Sequence, residues 1–519
     1  HPTPRLPWVE VATGSLGQGL PVGVGYALTG ARLDRLPYRV WVLCGDSELA
    51  EGSMWESFEH AGYEALDNLV AIIDVNRLGQ RGPTRHEWDS AAYARRIAAF
   101  EWHTIEVDGH DVEAIDQALT EAENTTRPVA VLALTKKGSG VEAVEDQEGA
   151  HGKPLGEAEE AIAELGGVRS LRLRVAAPSG AGSPHRFQVG EAAQPTYDVG
   201  DEVATRTALG ETLAALGAVR PDVVGLDGEV SDSTRMAKFA TAYPERFFQF
   251  YIAEQQMISA AVAMQARGWT PFVATFAAFF TRAHDFIRMA AVSRADLRLV
   301  GSHAGVAIGK DGPSQMGLED LAWMRAVHGS TVLYPCDGNQ TADLATAMAE
   351  QPGISYLRTS RGDTPVIYGA DEVFTIGGSR VLRSSDADVA TVVAAGVTVH
   401  EALAAAAELE GQGVPVRVID AYSVKPIDAG TLQAAARATG RLVTVEDHWP
   451  EGGLGDAVRA AFGADTVRPA VVSLAVRHMP ASATPDEQLR DAGIDRSAIA
   501  AAVRELVGGR RQLGVPGAA

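Results

Sequence analysis

An aspartate and an asparagine stand about thirty residues apart early in the chain, each just beyond an apolar run. Asp46 follows Tyr38-Arg39-Val40-Trp41-Val42-Leu43-Cys44-Gly45, and Asn76 follows Leu69-Val70-Ala71-Ile72-Ile73-Asp74-Val75. In an open parallel sheet, ligands bind beyond the carboxyl ends of the strands, where both side chains would then sit. Magnesium and calcium take hard oxygen donors: carboxylates, amide or backbone carbonyls, and ligand phosphates. Asp46 and Asn76 are thus candidates for a metal-diphosphate site. Taken alone the pair also reads as turn residues, since both types favour turns. Upstream, Val11-Ala12-Thr13-Gly14-Ser15-Leu16-Gly17-Gln18-Gly19 is a Gly-rich turn before a small-residue helix from Val22 to Leu28. Backbone amides at such a helix start favour an anion.

A second set of chemistry-bearing residues follows later. Glu254 lies in Tyr251-Ile252-Ala253-Glu254-Gln255, close to Met257 and Ile258. Apolar surroundings suit a carboxyl group to share a proton rather than to face water. Phe276 and Phe279, three apart, pair by default as core packing. His303 and the run Asp311-Gly312-Pro313-Ser314-Gln315 occupy a Gly-rich stretch after a buried strand, a common setting for functional loops. Arg206, Ser233 and Arg361 would each pass singly for surface residues. His448 beside Glu446 and Asp447 reads as structural rather than as a metal site.

These residues need elements to position them. Short apolar runs alternate with helical patterns, a third run being Val129 to Leu134, and strands buried on both faces look like this. The rhythm predicts α/β architecture with parallel sheets covered by helices. Residues 1–175 form a first domain, and the Ala/Pro/Gly/Ser-rich residues 176–196 a linker. A second domain spans 197–370, with strands at Val223–Leu226, Thr270–Val273, Leu297–Ser302 and Val332–Tyr334. A third spans 371–519, with a mixed sheet and strands at Ala387–Ala394, Val416–Ile419, Leu442–Val445 and Val471–Ser473.

Bulk composition narrows the function. The 519 residues are 46% hydrophobic and 22% charged, enough for several cores. A formal charge of −22 excludes a general nucleic-acid surface. No apolar stretch reaches the roughly 18 to 20 residues of a membrane span, and no secretory leader is seen, so the chain reads as cytoplasmic. Cys44 and Cys336 read as buried, reduced thiols.

The blocks VATGSLGQGL, GDSELAEGSMWE and IIDVNRLGQ resemble successive parts of the diphosphate-binding domain of transketolases, particularly the animal-type branch. GSHAGVAIGKDGPSQ and HGKPL extend the likeness, which runs from His1 to about Leu506. The resemblance implies three consecutive thiamine-diphosphate-enzyme domains. It implies thiamine diphosphate with Mg2+ (or Ca2+), the metal held by Asp46, Asn76 and the Leu78 carbonyl. Gly14, Ser15, Leu16, Ser47 and Asn76 would lie along the cofactor, and Ser47 stands where the family has glycine. Glu254 would share a proton with the aminopyrimidine, against a wall of Phe276 and Phe279 with Arg282 nearby. Glu254, His151 and His1 would be the catalytic groups. Sugar phosphates would contact His1, His151, Arg206, Ser233, His303, Asp311, Gln315 and Arg361, with Gln315 where many bacterial and yeast-type enzymes have histidine.

The implied reaction moves a two-carbon ketol unit from a ketose phosphate to an aldose phosphate, as in the pentose phosphate pathway. The implied assembly is a homodimer with active sites at the interface. The alternatives are a non-catalytic transketolase-like protein and a deoxyxylulose-phosphate-synthase-like enzyme. The sequence starts at His1 with Met54 its first methionine, and by the resemblance it would lack the family's N-terminal segment. Poor folding of the first domain, and inactivity at this length, are the corresponding expectations.

Overall fold

Four parallel strands, β1 (Val40–Gly45), β2 (Leu69–Val75), β3 (His103–Asp108) and β4 (Val129–Leu134), form the first sheet in the order β1-β2-β4-β3. Around them run α1 (Gly19–Leu28), α2 (Gly52–Tyr63), α3 (Ser90–Ala98), α4 (Val112–Glu123) and α5 (Ala158–Glu164). The structure is a computed structural model and describes residues 1–156, 158–174, 187–463 and 467–509. It divides into two compact units, His1–Arg186 with Gln255–Gly268, and Phe187–Glu254 with Trp269–Ala519.

In the first unit, β1, β2 and β4 coincide with the three apolar runs. β3 was not expected, because His103-Thr104-Ile105-Glu106-Val107-Asp108 mixes polar and apolar residues as an edge strand can. Burial on both faces fails at β1, the opposite edge, where Leu43 is 74% exposed. Asp89 and Asp111 start α3 and α4 by accepting backbone N–H groups in their first turns. Val70, Val107, Val129 and Val131 pack with Ala118 and Ala122 of α4. Residues 255–268 belong to this unit, with 256–264 buried: Gln256 Nε2 donates to the Pro21 carbonyl at 2.9 Å, and Ser57 Oγ donates to Gln256 Oε1 at 2.8 Å. At Gly25 a Cβ would lie 2.6 Å from Ala260 Cα, so α1 needs glycine for that approach.

The second unit holds β5 (Glu202–Ala204), β6 (Val223–Asp227), β7 (Phe247–Gln249), β8 (Thr270–Phe276), β9 (Leu297–Ser302), β10 (Thr331–Leu333), β11 (Ile354–Arg358) and β12 (Asp363–Pro365). It continues with β13 (Arg380–Arg383), β14 (Ala390–Ala394), β15 (Val416–Asp420), β16 (Ser423–Lys425), β17 (Arg441–Val445) and β18 (Ala470–Leu474). A seven-stranded sheet runs β16-β10-β11-β9-β8-β6-β7, parallel except where β16 joins β10. A five-stranded sheet runs β13-β15-β14-β17-β18, with β13 antiparallel, which makes it mixed as expected. β5 and β12 form a short antiparallel ribbon. The helices that matter for the site are α6 (Thr205–Val219), α7 (Ser231–Thr234), α8 (Ala237–Ala242) and α9 (Glu254–Ala266), the last contributing only Glu254 to this unit. One apolar cluster, from Leu209 to Val503, joins the two larger sheets of this unit. Of the linker, residues 176–186 lie outside the described residues, and 187–196 form neither helix nor strand. Cys44 and Cys336 are free and buried.

Candidate functional site

β1 ends at Gly45, paired with Asp74 of β2, and Asp46 follows at once, 4% exposed. Its carboxylate accepts from Ser47 N at 2.9 Å, Arg77 N at 3.0 Å and Thr84 Oγ1 at 2.9 Å. Burial raises the Asp46 pKa above the usual carboxylate range, against those hydrogen bonds, and Asp74 adds to the rise. Asn76 is also buried; its Oδ1 accepts from Leu78 N at 3.1 Å and its Nδ2 donates to Asp74 Oδ2 at 2.8 Å. Arg77 between them is left-handed, with φ 59°, and this bends the chain sharply after β2. The Leu78 carbonyl accepts from Lys137 Nζ at 2.6 Å. Asp46, Asn76 and Leu78 therefore share one loop network beyond the carboxyl ends of β1 and β2.

Lys137 was missed in the sequence. A lone lysine carries no spacing signal, and only its place just past β4 could have drawn notice. Its ammonium already rests on the carbonyl expected to serve a cation. Among the described residues no cluster of three or more His, Cys, Asp or Glu could hold a metal. A divalent ion here would depend on a mixed set of carboxylate, amide and carbonyl oxygens, completed by phosphate, and that set fits a hard cation.

The Gly-rich turn is tied to the same strand end. Glu48 accepts from Gly17 N at 2.7 Å and from Gly45 N at 3.2 Å, and Ser53 Oγ donates to the Gly17 carbonyl at 2.6 Å. Gly17 has φ 83°, and a Cβ there would meet the Glu51 side chain at 2.2 Å. Gly14 and Leu16 are exposed and Ser15 half-buried. His1 packs on Gly14, its Cγ 3.0 Å from where a Cβ would stand. Ser47 has φ −65° and ψ −35°, ordinary for any residue, so its backbone does not require glycine. Its Oγ lies 3.1 Å from the Cβ position of Gly79. His151 is exposed in a turn, and among the described residues its ring has no hydrogen-bond partner.

The second unit carries the aromatic and cationic groups. Phe276 ends β8 and Phe279 opens a 3-10 turn, and their rings stack with centroids 5.2 Å apart and 5° between planes. His303 stacks on Phe276 at 3.9 Å and 7°, which extends the slab to three parallel rings. Glu254, 3% exposed at the start of α9, accepts from Arg282 Nη1 at 2.7 Å, and the Arg282 guanidinium lies 5.0 Å from the Phe279 centroid. The apolar surroundings expected for Glu254 are thus qualified by a cation. His303 is buried, with Nδ1 2.9 Å from Ser302 Oγ. Burial first, then Arg206 and Arg361, push its pKa down to about 3, so the ring is neutral at pH 7.

Arg206 donates from Nη1 to the Ser233 carbonyl at 2.9 Å and from Nε to the Arg361 carbonyl at 3.1 Å. Arg361 donates to the Ile308 carbonyl at 3.2 Å and faces Asp311 at 3.5 Å. Four of the expected substrate residues, Arg206, Ser233, Asp311 and Arg361, are joined by these contacts, and His303 feels both arginines. Gln315 is half-buried in the next turn and accepts from Ser314 Oγ.

Family models for the transketolase thiamine diphosphate binding domain, pyrimidine binding domain and C-terminal domain match residues 1–167, 201–366 and 379–499. The chain belongs to the transketolase family. It is 47% identical to Homo sapiens transketolase over 515 residues, covering 98% of this chain and 82% of that protein. It is also 47% identical to Mus musculus transketolase-like protein 2 over 518 residues, with coverage of 98% and 82%. Among solved structures, transketolase from Campylobacter jejuni subsp. jejuni NCTC 11168 superposes with a TM-score of 0.85 at 22% identity, covering 97% of this chain and 84% of that one. This transketolase-family chain therefore has the thiamine-diphosphate-enzyme fold, with the Asp46–Asn76 loop inside its diphosphate-binding domain. No described helix is long and apolar enough to cross a membrane.

Proposed function

We propose that this protein is a transketolase, transferring a two-carbon ketol unit from a ketose phosphate to an aldose phosphate with thiamine diphosphate and Mg2+ or Ca2+. The carrying observation is the loop network that gathers Asp46, Asn76 and the Leu78 carbonyl at the strand ends, with Lys137 on that carbonyl. Asp46, Asn76 and Leu78 would hold the metal. Gly14, Ser15, Leu16 and Ser47 would line the cofactor. When bound, thiamine diphosphate supplies the electron sink for carbon–carbon cleavage.

The protein's own groups position and move protons. Glu254 would exchange a proton with the aminopyrimidine, its carboxylate oriented by Arg282. The stacked rings of Phe276 and Phe279 would form a wall beside the aminopyrimidine. Neutral His303 can donate to or accept from a substrate hydroxyl, while Arg206 and Arg361 take the phosphate through forked, charge-assisted bonds. Asp311 and Gln315 would contact sugar hydroxyls, and His1 and His151 the reacting end. In this reading the chain has a diphosphate-binding domain at 1–175, a pyrimidine-binding domain at 197–370 and a C-terminal domain from 371. It works in the cytoplasm as a homodimer with active sites at the interface.

The test is a ketol-transfer assay on the purified protein, with xylulose 5-phosphate as donor and ribose 5-phosphate as acceptor. Sedoheptulose 7-phosphate formation that requires thiamine diphosphate and magnesium supports the reading. Cofactor binding without turnover would leave a binding protein instead.

A further inference from the structure

Arg235 ends the short helix α7 in a left-handed conformation, φ 68°, which a long side chain adopts at a cost. The loop around it is fixed on one side and packed on the other. Asp227, at the end of β6, accepts from Thr234 Oγ1 at 2.8 Å and from Val230 N at 2.7 Å, fixing the loop that carries Ser233 and Arg235. Gly210 of α6 presses on Arg235 from the other side: a Cβ at Gly210 would lie 2.5 Å from the Arg235 carbonyl and 2.7 Å from its Cβ. Gly210 is four residues after Arg206, so both occupy one face of α6, about 6 Å apart along its axis. Arg206 reaches the same loop by donating to the Ser233 carbonyl.

The result is three guanidinium groups in one corner. Burial and then the charges of Arg235 and Arg361 push Arg206 down to about 10, with Arg235 the larger of the two charge effects. Like charges assembled in a folded protein need an opposite charge to offset them. Asp311 lies 3.5 Å from Arg361, but among the described residues no carboxylate lies within 4 Å of Arg235. Its buried Nε has no hydrogen-bond acceptor. Arg380 and Arg417 also have a buried Nε without a hydrogen bond, yet each faces a carboxylate, at 3.8 and 3.5 Å. Arg235 is the different case.

We infer that Arg235 is a third phosphate-binding residue, adding an anion contact to the Arg206–Arg361 clamp and setting preference for a dianionic phosphomonoester over an unphosphorylated sugar. A phosphate dianion has enough oxygens for several forked donors, and charge-assisted bonds are the strong ones. This rests on reading Arg206 and Arg361 as a phosphate clamp, so the experiment separates the two.

Calorimetric titration of the full chain with ribose 5-phosphate is compared for wild type, Arg235→Gln and Arg206→Gln, with thermal unfolding as a check on folding. Arg235→Lys keeps the charge without the fork and takes the place of the glutamine variant if that variant melts early. The expected result is about tenfold weaker binding for Arg235→Gln, with a smaller loss for Arg235→Lys. Wild-type affinity in folded Arg235 variants, with a loss in Arg206→Gln, overturns the role of Arg235 and leaves the clamp standing. No binding by wild type, or no loss in any variant, overturns both.

Discussion

Glu254 is 3% exposed, and the carboxylate oxygen that accepts from Arg282 is thereby held in one direction. A glutamine at this position keeps an acceptor for Arg282 but cannot exchange a proton. Glu254→Gln is therefore expected to lower kcat for ketol transfer by a factor on the order of 10² to 10⁴, with the thermal midpoint little changed. Steady-state kinetics beside a melting curve check this; an unaltered kcat removes Glu254 from the chemistry. Residue types were legible here because Asp46 and Asn76 follow apolar runs and Glu254 sits among Met257 and Ile258. Lys137 and Arg235 were not. Single cations have no periodicity, and only folding brings Lys137 to the Leu78 carbonyl and Arg235 beside Arg206.

At the scale of elements, long apolar strands announced themselves and short or polar ones did not. β2, β4 and β14 are mostly Val, Ile, Leu and Ala, whereas β7 has three residues and β3 mixes polar with apolar. Nothing in the order of residues says that 255–268 packs with the first unit, because that depends on the Gly25–Ala260 approach. The end of β15 carries a different consequence. Asp420 is fully buried, its Oδ2 accepting from Gln340 and Tyr368 at 2.7 and 2.8 Å while its Oδ1 has no partner. Burial pushes its pKa up to about 7. Unfolded, the group ionises near pH 4, so between about pH 4 and pH 7 the unfolded chain binds fewer protons than the folded one. Its contribution to stability is complete below that window and is lost as pH rises through it. Asp420→Asn, which resembles the protonated acid, should melt above wild type at pH 8, with the gap narrowing toward pH 5. Calorimetric melts across that range decide it, and parallel pH profiles would sink the idea.

Over the whole second unit, one buried cation spans the two large sheets. Arg358, at the end of β11, has no exposed surface; it donates to Asp320 at 2.8 Å and to Asp447, just beyond β17, at 2.7 Å. Its Nη2 also serves the Gly317 and Asp447 carbonyls. Removing one member of a buried network leaves the others charged and unpaired. Arg358→Met should therefore cost about 3 to 5 kcal/mol, read from the urea midpoint of the second unit. A cost below about 1 kcal/mol would mean the network relaxes or hydrates. The α/β plan of largely parallel sheets was readable from the sequence, but this bridge was not, since Arg358, Asp320 and Asp447 are far apart in the chain.

In the proposed function, the strand-end network of Asp46, Asn76 and Leu78 holds thiamine diphosphate through a divalent cation. Titrating thiamine diphosphate into the protein by calorimetry, with magnesium and with chelator, tests it most directly. The expected result is magnesium-dependent binding that weakens at least about tenfold in Asp46→Asn and is unchanged in Arg206→Gln. Binding that is equal with chelator and in Asp46→Asn, or no binding at all, would contradict it.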